Sequence, residues 1–158
     1  MATQANFLVF DDQATPVEHT LIPVSDNPCV WRGTNSALPM EGQIRVTFQL
    51  EQLKNGDFRA SKKTEVPVLE TIGTAGNANG YVAPPKVAHV TTHIETMFFS
   101  KRSTAADRAN ALKIALGITL GASSTTGTGF LTNTSAGGAY ASNNKAGPQL
   151  FVAGVMPS

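Results

Sequence analysis

Apolar residues recur at every second position through most of the first two thirds of the chain, and at helical spacing immediately afterwards. The clearest stretch is 43–51, QIRVTFQLE, where Ile44, Val46, Phe48 and Leu50 alternate with Arg45, Thr47, Gln49 and Glu51. A period of two sends these sets to opposite faces of a strand, one buried and one polar. Lys54-Asn55-Gly56-Asp57 then reverses the chain, since Asn-Gly supplies the positive φ of a tight hairpin. A more polar strand follows over 58–68 and a third over 87–99. In the third, Val90, Ile94 and Phe98 share one side with Thr92 and Thr96, while His89, Thr91, His93 and Glu95 take the other.

Upstream, 6–12 (NFLVFDD) and 17–24 (VEHTLIPV) read as an N-terminal hairpin, followed by the short apolar run Cys29-Val30-Trp31. Downstream of the third strand the period changes. Ser103 or Thr104 caps a helix over 104–120, with Asp107 in its first turn, where the helix dipole favours an anion. Ala109, Leu112, Leu116 and Leu120 form one apolar stripe on this helix, and Ala111, Ile114, Ala115 and Ile118 a second, nearly opposite. One sheet covers only one of them, so a second subunit is expected on the other.

Two segments carry neither period. Residues 71–85 hold Gly73, Gly76, Gly80, Pro84 and Pro85 and read as a long connection between strands. Residues 121–149 are rich in Gly, Ser, Thr and Asn and specify no regular core element, although Leu150-Phe151-Val152 suits a short closing strand. The expected organisation is one domain over 1–120, with 121–158 as its C-terminal extension.

Charge changes this picture locally. The chain carries 12 Lys+Arg and 11 Asp+Glu in 158 residues, which excludes a polyelectrolyte and a globally basic nucleic-acid binder. The distribution is uneven: residues 1–44 sum to −4, residues 45–113 to +4, and Lys145 is the only charged side chain of 114–158. The middle segment is therefore a candidate surface for a polyanion. The single cysteine, Cys29, excludes an internal disulfide. The first residues lack the pattern of a signal peptide, and no apolar run has the length of a membrane span, so the chain reads as cytosolic when made, with no membrane partner.

Candidate chemistry is sparse. His89 and His93 lie four apart on a strand, roughly 13 Å from each other and too far to chelate one ion, so no metal or other cofactor is expected. Phosphate-loop and GxSxG motifs are absent, and Asp11 and Asp12 point to opposite faces of a strand. An enzyme is therefore not expected. The polar sheet face carries more: Arg45, Thr47 and Gln49, then Ser61 and Lys63, then His89, Thr91 and His93 can line one open surface. Arg and Lys suit phosphates, Thr, Ser and Gln suit base edges, and His89 suits stacking on an unpaired base. Glu51, Glu65 and Glu95 on the same face would repel non-specific polyanion. By residue type alone, a plain solvated face of an antiparallel sheet is the favoured reading of these residues.

Several strings, taken in order, resemble the coat proteins of single-stranded RNA bacteriophages of the levivirus type. FLVFDDQATPVEHTLIPVSDNPCVWRGTN resembles that family's N-terminal hairpin and Trp-containing strand; IRVTFQLEQ and FRASKKTEVPV resemble its first long strands; HVTTHIETMFFSKRSTAADRANALKIALGI resembles its last strand, capped turn and first helix. The resemblance covers about residues 5–120. It implies an α+β fold with an N-terminal hairpin, a five-stranded antiparallel sheet and a C-terminal helix clasping a partner subunit. It further implies homodimers that assemble into an icosahedral capsid, package single-stranded viral RNA, bind an RNA hairpin as a translational repressor and accept a single-copy maturation protein. Localisation would be the virion, and the host bacterial cytoplasm during assembly.

Carried over residue by residue, the resemblance puts the family's basic position at Arg45, polar positions at Thr47 and Gln49, and a hydroxyl and a lysine at Ser61 and Lys63. His89 falls where relatives place a stacking tyrosine, Thr91 where they place an asparagine, and Glu51 where a basic residue is common. Leu112, Ile114, Leu116 and Ile118 would form the dimer interface. The 71–85 connection resembles the loop that lines symmetry axes, whereas 121–149 departs from the second helix of relatives. A non-viral β-rich assembly or adhesion subunit without RNA binding is the alternative.

Overall fold

The computed structural model describes residues 5–70 and 86–119. Six strands follow one another in space as in sequence: β1 (Phe7–Phe10), β2 (Glu18–Asp26), β3 (Cys29–Gly33), β4 (Arg45–Gln52), β5 (Phe58–Leu69) and β6 (Val87–Phe99). A short 3-10 turn at Met40–Gly42 precedes β4, and the helix α1 (Ala105–Thr119) follows β6. The expected fold class holds: an antiparallel sheet, then a C-terminal helix. The hairpin, however, is not separate from a five-stranded sheet. β3 pairs with β2 (Leu21 opposite Gly33) and with β4 (Cys29 opposite Phe48), so it joins the hairpin to the long strands in one six-stranded sheet.

The described residues fall into two compact units, one made of residues 5–8 and the strands within 19–98, the other of residues 9–18 and 99–119. In the first, the register places Trp31 opposite Val46 and Phe48 opposite Cys29, which brings both rings to one face of the sheet. Phe7, Trp31 and Phe48 form an aromatic cluster, with Trp31 and Phe48 meeting edge-on at 5.2 Å between centroids and Phe7 lying 4.8 Å from Trp31. Such geometry adds about 0.5–1.5 kcal/mol per pair to the burial of the rings. The Trp31 indole Nε1–H donates to the Ala5 carbonyl at 2.9 Å, which satisfies the one polar atom of that buried side chain. Leu21, only 2 % exposed, and Val46 complete this face of the core, and Val30 is buried on the other.

The β4–β5 turn shows how Asn-Gly acts here. Gly56 alone takes a positive φ, 85°, and the connection runs over five residues, Leu53 to Asp57. Asn55 accepts the Asp57 backbone N–H on its side-chain oxygen, an Asx-type turn that replaces the two-residue hairpin. Gly42 is buried beneath β5, where a Cβ would lie 2.8 Å from a Leu69 methyl carbon, so only glycine passes there without moving that side chain.

In the second unit, Asp11 closes the β1–β2 turn by accepting the Val17 backbone N–H at 2.9 Å. At α1 the cap is Thr104. Its hydroxyl accepts the Asp107 N–H at 3.2 Å, and the Asp107 carboxylate accepts the Thr104 N–H at 2.9 Å, a reciprocal box. These bonds favour the ionised carboxylate and hold Asp107 below its ordinary pKa. Arg108 reaches back over the Phe99 ring at 5.0 Å and donates to the Ser103 carbonyl at 2.7 Å, fixing the strand-to-helix passage. The 71–85 connection, the 121–158 extension with its closing strand, and Leu120 of the expected stripe lie outside the described residues.

Candidate nucleic-acid interface

The β4–β5 register decides which polar residues meet. Arg45 stands opposite Glu65, Thr47 opposite Lys63, Gln49 opposite Ser61 and Glu51 opposite Arg59. Directly opposed residues of an antiparallel pair share a face, so Arg45, Thr47, Gln49, Ser61 and Lys63 form one polar surface. The aromatic cluster lies on the other side of the sheet, since Phe48 alternates with Thr47 and Gln49. The period of two in the sequence thus becomes a two-strand ladder with a neutral centre, Thr47, Gln49 and Ser61, and charged rows at either end.

Those rows are not all free cation. Lys63 Nζ lies 2.6 Å from Glu65 Oε1, and Arg59 Nη2 lies 2.8 Å from Glu51 Oε2. The carboxylates, expected merely to repel polyanion, therefore bind two of the face's cations. Glu95 does not join them: it ion-pairs with Lys62 at 2.5 Å, and Lys62 stands opposite Phe48, on the other side of β5 from Lys63.

Sequence reasoning overlooked Arg32, whose acidic surroundings in the first third of the chain masked it. The β3–β4 register puts Arg32 directly opposite Arg45. Its alternation with Trp31, a core residue, is the signal that would have placed it on the polar side. Among the described residues, neither guanidinium has a side-chain hydrogen bond or an ion pair. Both border a hollow of about 550 Å³ whose lining also includes Val30, Pro67 and Val90 together with Glu41 and Glu65.

β6 contributes Val90 to that hollow. Of the expected residues on this strand, His89 and Thr91 are exposed and His93 is half-buried; none of the three lines the hollow. The structure thus gathers five of the eight expected contact residues on one ladder; His89, Thr91 and His93, which alternate with Val90 and share the side of Glu95, do not join that face.

Of the four α1 residues expected at a subunit interface, Ile114 and Ile118 are 64 % and 60 % exposed, Leu112 is also exposed, and Leu116 is half-buried. The sheet too leaves apolar side chains open, Leu50 and Phe98 at 65 % each among them, although alternation alone led us to expect the Leu50 side of β4 to be buried.

Comparison with known proteins gives four matches. The family model described as levivirus coat protein matches residues 2–136. The capsid protein of Pseudomonas phage PRR1 is 30% identical over 106 residues, 66% of this chain and 76% of that protein. Among solved structures, the virus-like particle of bacteriophage EMS014 matches with a TM-score of 0.89 and 39% identity over 99% of this chain and 100% of that one. The capsid protein of bacteriophage GA matches in fold, with a TM-score of 0.56 and 24% identity over 73% of this chain and 84% of that one.

Proposed function

This chain belongs to the levivirus coat protein family and is a structural capsid protein of an RNA phage, a component of the virion and not an enzyme; from that premise we propose that it assembles as homodimers and binds RNA on the open sheet face. Family membership removes the adhesion-subunit alternative. The observation that carries the RNA reading is the β4–β5 register, which gathers Arg45, Thr47, Gln49, Ser61 and Lys63 on one polar surface facing away from the aromatic core. Cations hold phosphates and fix orientation, whereas the short hydroxyl and amide groups between them reach base edges. A dimer that continues the sheet would repeat the ladder by symmetry and offer one RNA hairpin two copies of each contact.

Assembly follows from the apolar side chains that one protomer leaves uncovered. Ile114, Ile118 and Leu112 of α1 and the open apolar residues of the strands are the surfaces a partner would bury. Packaging of genomic RNA, repression of translation through a bound hairpin, a single-copy maturation protein in the shell and assembly in the host bacterial cytoplasm complete this reading. The test is expression of the full chain alone. Negative-stain microscopy should show closed particles, their absorbance at 260 nm relative to 280 nm should reveal encapsidated RNA, and Arg45→Ala with Lys63→Ala should lower the RNA content. Particles that stay equally rich in RNA with both substitutions would move the RNA site off this face.

A further inference from the structure

We infer that the hollow bordered by Arg32 and Arg45 is a subsite for one unpaired nucleotide, with its phosphate held between the two guanidiniums and its base against the apolar wall. This rests on the reading of the sheet face as an RNA surface and adds to it a residue, Arg32, and a place.

The argument starts from an electrostatic oddity. Like charges directly opposite one another across an antiparallel pair destabilise a sheet, yet Arg32 and Arg45 are direct register partners. Their other neighbours relieve little of this. Glu65 faces Arg45 across the next ladder, but its carboxylate bonds Lys63, and Glu41 borders the same hollow without bonding either arginine. Two adjacent guanidiniums without protein partners among the described residues are matched by one ligand chemistry above others, a phosphate that accepts from both forks.

The rest of the lining suits what a phosphate carries. Val30 is buried on this face, and Pro67 and Val90 add apolar surface, so a base can leave water while its phosphate stays at the arginines. About 550 Å³ lies within the range of small-molecule sites. Glu41 and Glu65 accept hydrogen bonds and cannot donate them when ionised, so they favour a base that presents N–H groups.

The experiment uses the full-length chain with a labelled short single-stranded oligoribonucleotide, followed by anisotropy at several salt concentrations. Removing one phosphate contact from a single strand flattens the dependence of log K on log salt by roughly 0.7, about a fivefold loss near 0.1 M salt. Arg32→Gln should show that loss, Arg32→Lys a smaller one, and Arg32→Gln combined with Arg45→Gln little more than either alone, because both arginines hold one phosphate. Thermal stability of Arg32→Gln should match or exceed that of the parent, since a like-charge pair is relieved, which separates lost binding from lost folding. A nucleoside monophosphate should compete with the oligonucleotide better than inorganic phosphate does. Unchanged affinity in Arg32→Gln, with Arg45→Gln and Lys63→Gln both weakened, would overturn the subsite and leave the sheet-face reading standing. Unchanged affinity in all three would overturn both, and equal competition by phosphate and nucleotide would overturn the base-binding part.

Discussion

Glu65 stands directly opposite Arg45 across the β4–β5 ladder, yet its carboxylate bonds Lys63, two places along its own strand, at 2.6 Å. The cations of the polar face are thereby sorted into engaged ones, Lys63 and Arg59, and unengaged ones, Arg45 and Arg32. Exposed pairs of this kind contribute only about 0–1 kcal/mol to stability, so their larger effect is on what the cations are free to bind.

The engaged pairs should screen the face against RNA in general. Glu65→Gln and Glu51→Gln each release a cation, so binding to an unstructured oligoribonucleotide should tighten and its salt slope steepen by up to roughly 0.7 per released contact. Glu70→Gln, beyond the end of β5, removes the same charge without releasing a cation and should change binding less. Equal effects from all three variants would reduce the screen to net charge.

Arg45 and Lys63 should accordingly differ. Arg45→Ala is expected to flatten the salt slope by roughly the full 0.7–0.9 of one phosphate contact, and Lys63→Ala by less, because Lys63 must first leave Glu65. His89→Ala, on the side of β6 that carries Glu95, should leave both affinity and slope nearly unchanged. Filter binding across a salt series separates the three.

Helix α1 should lose its first turn in acid. The bonds from Thr104 hold the Asp107 pKa below its unfolded value, so their contribution is present above the unfolded pKa and is lost as pH falls through the folded one. Circular dichroism during acidification should show a smaller change in Asp107→Asn than in the parent. Thr104→Ala should cost about 1 kcal/mol of helix stability at neutral pH.

Much of this was legible because period-two alternation and helix caps are local signals. The sequence places β5, β6 and α1 within a residue of their observed bounds and β4 within two, and offers Thr104, with Ser103, as the cap. Contacts set by register were not legible. That Arg32 meets Arg45, that Glu51 engages Arg59 and that Glu95 turns to Lys62 all depend on which residue of one strand opposes which of the next, and no residue type encodes it. The hairpin's continuity with the sheet is of the same kind, since β3 is too short to advertise two partners.

Trp31 is the chain's one tryptophan and reports on the aromatic cluster directly. Phe48→Ala removes the ring that meets it edge-on and should cost about 2–3 kcal/mol, less than a fully buried phenylalanine because Phe48 is half-buried. Urea unfolding should show the lower midpoint, and Trp31 emission in the folded variant should shift to the red as water reaches the indole.

Assembly and folding should separate at Ile114. The side chain is 64 % exposed in the protomer, so Ile114→Asp is expected to change protomer stability by no more than about 0.5 kcal/mol. If α1 is covered by a partner, the same carboxylate becomes a buried and unpaired charge, a penalty of several kcal/mol repeated at every copy of the contact. The variant should therefore keep the parent's circular dichroism spectrum at low temperature while light scattering shows no particles and no dimers. Leu116→Asp makes the contrast, since Leu116 is already half-buried within the protomer and its substitution should melt below Ile114→Asp. Intact particles from Ile114→Asp would mean that this side of α1 faces solvent in the shell and that the subunits meet elsewhere, with the open strand residues Leu50 and Phe98 as the next surface to alter.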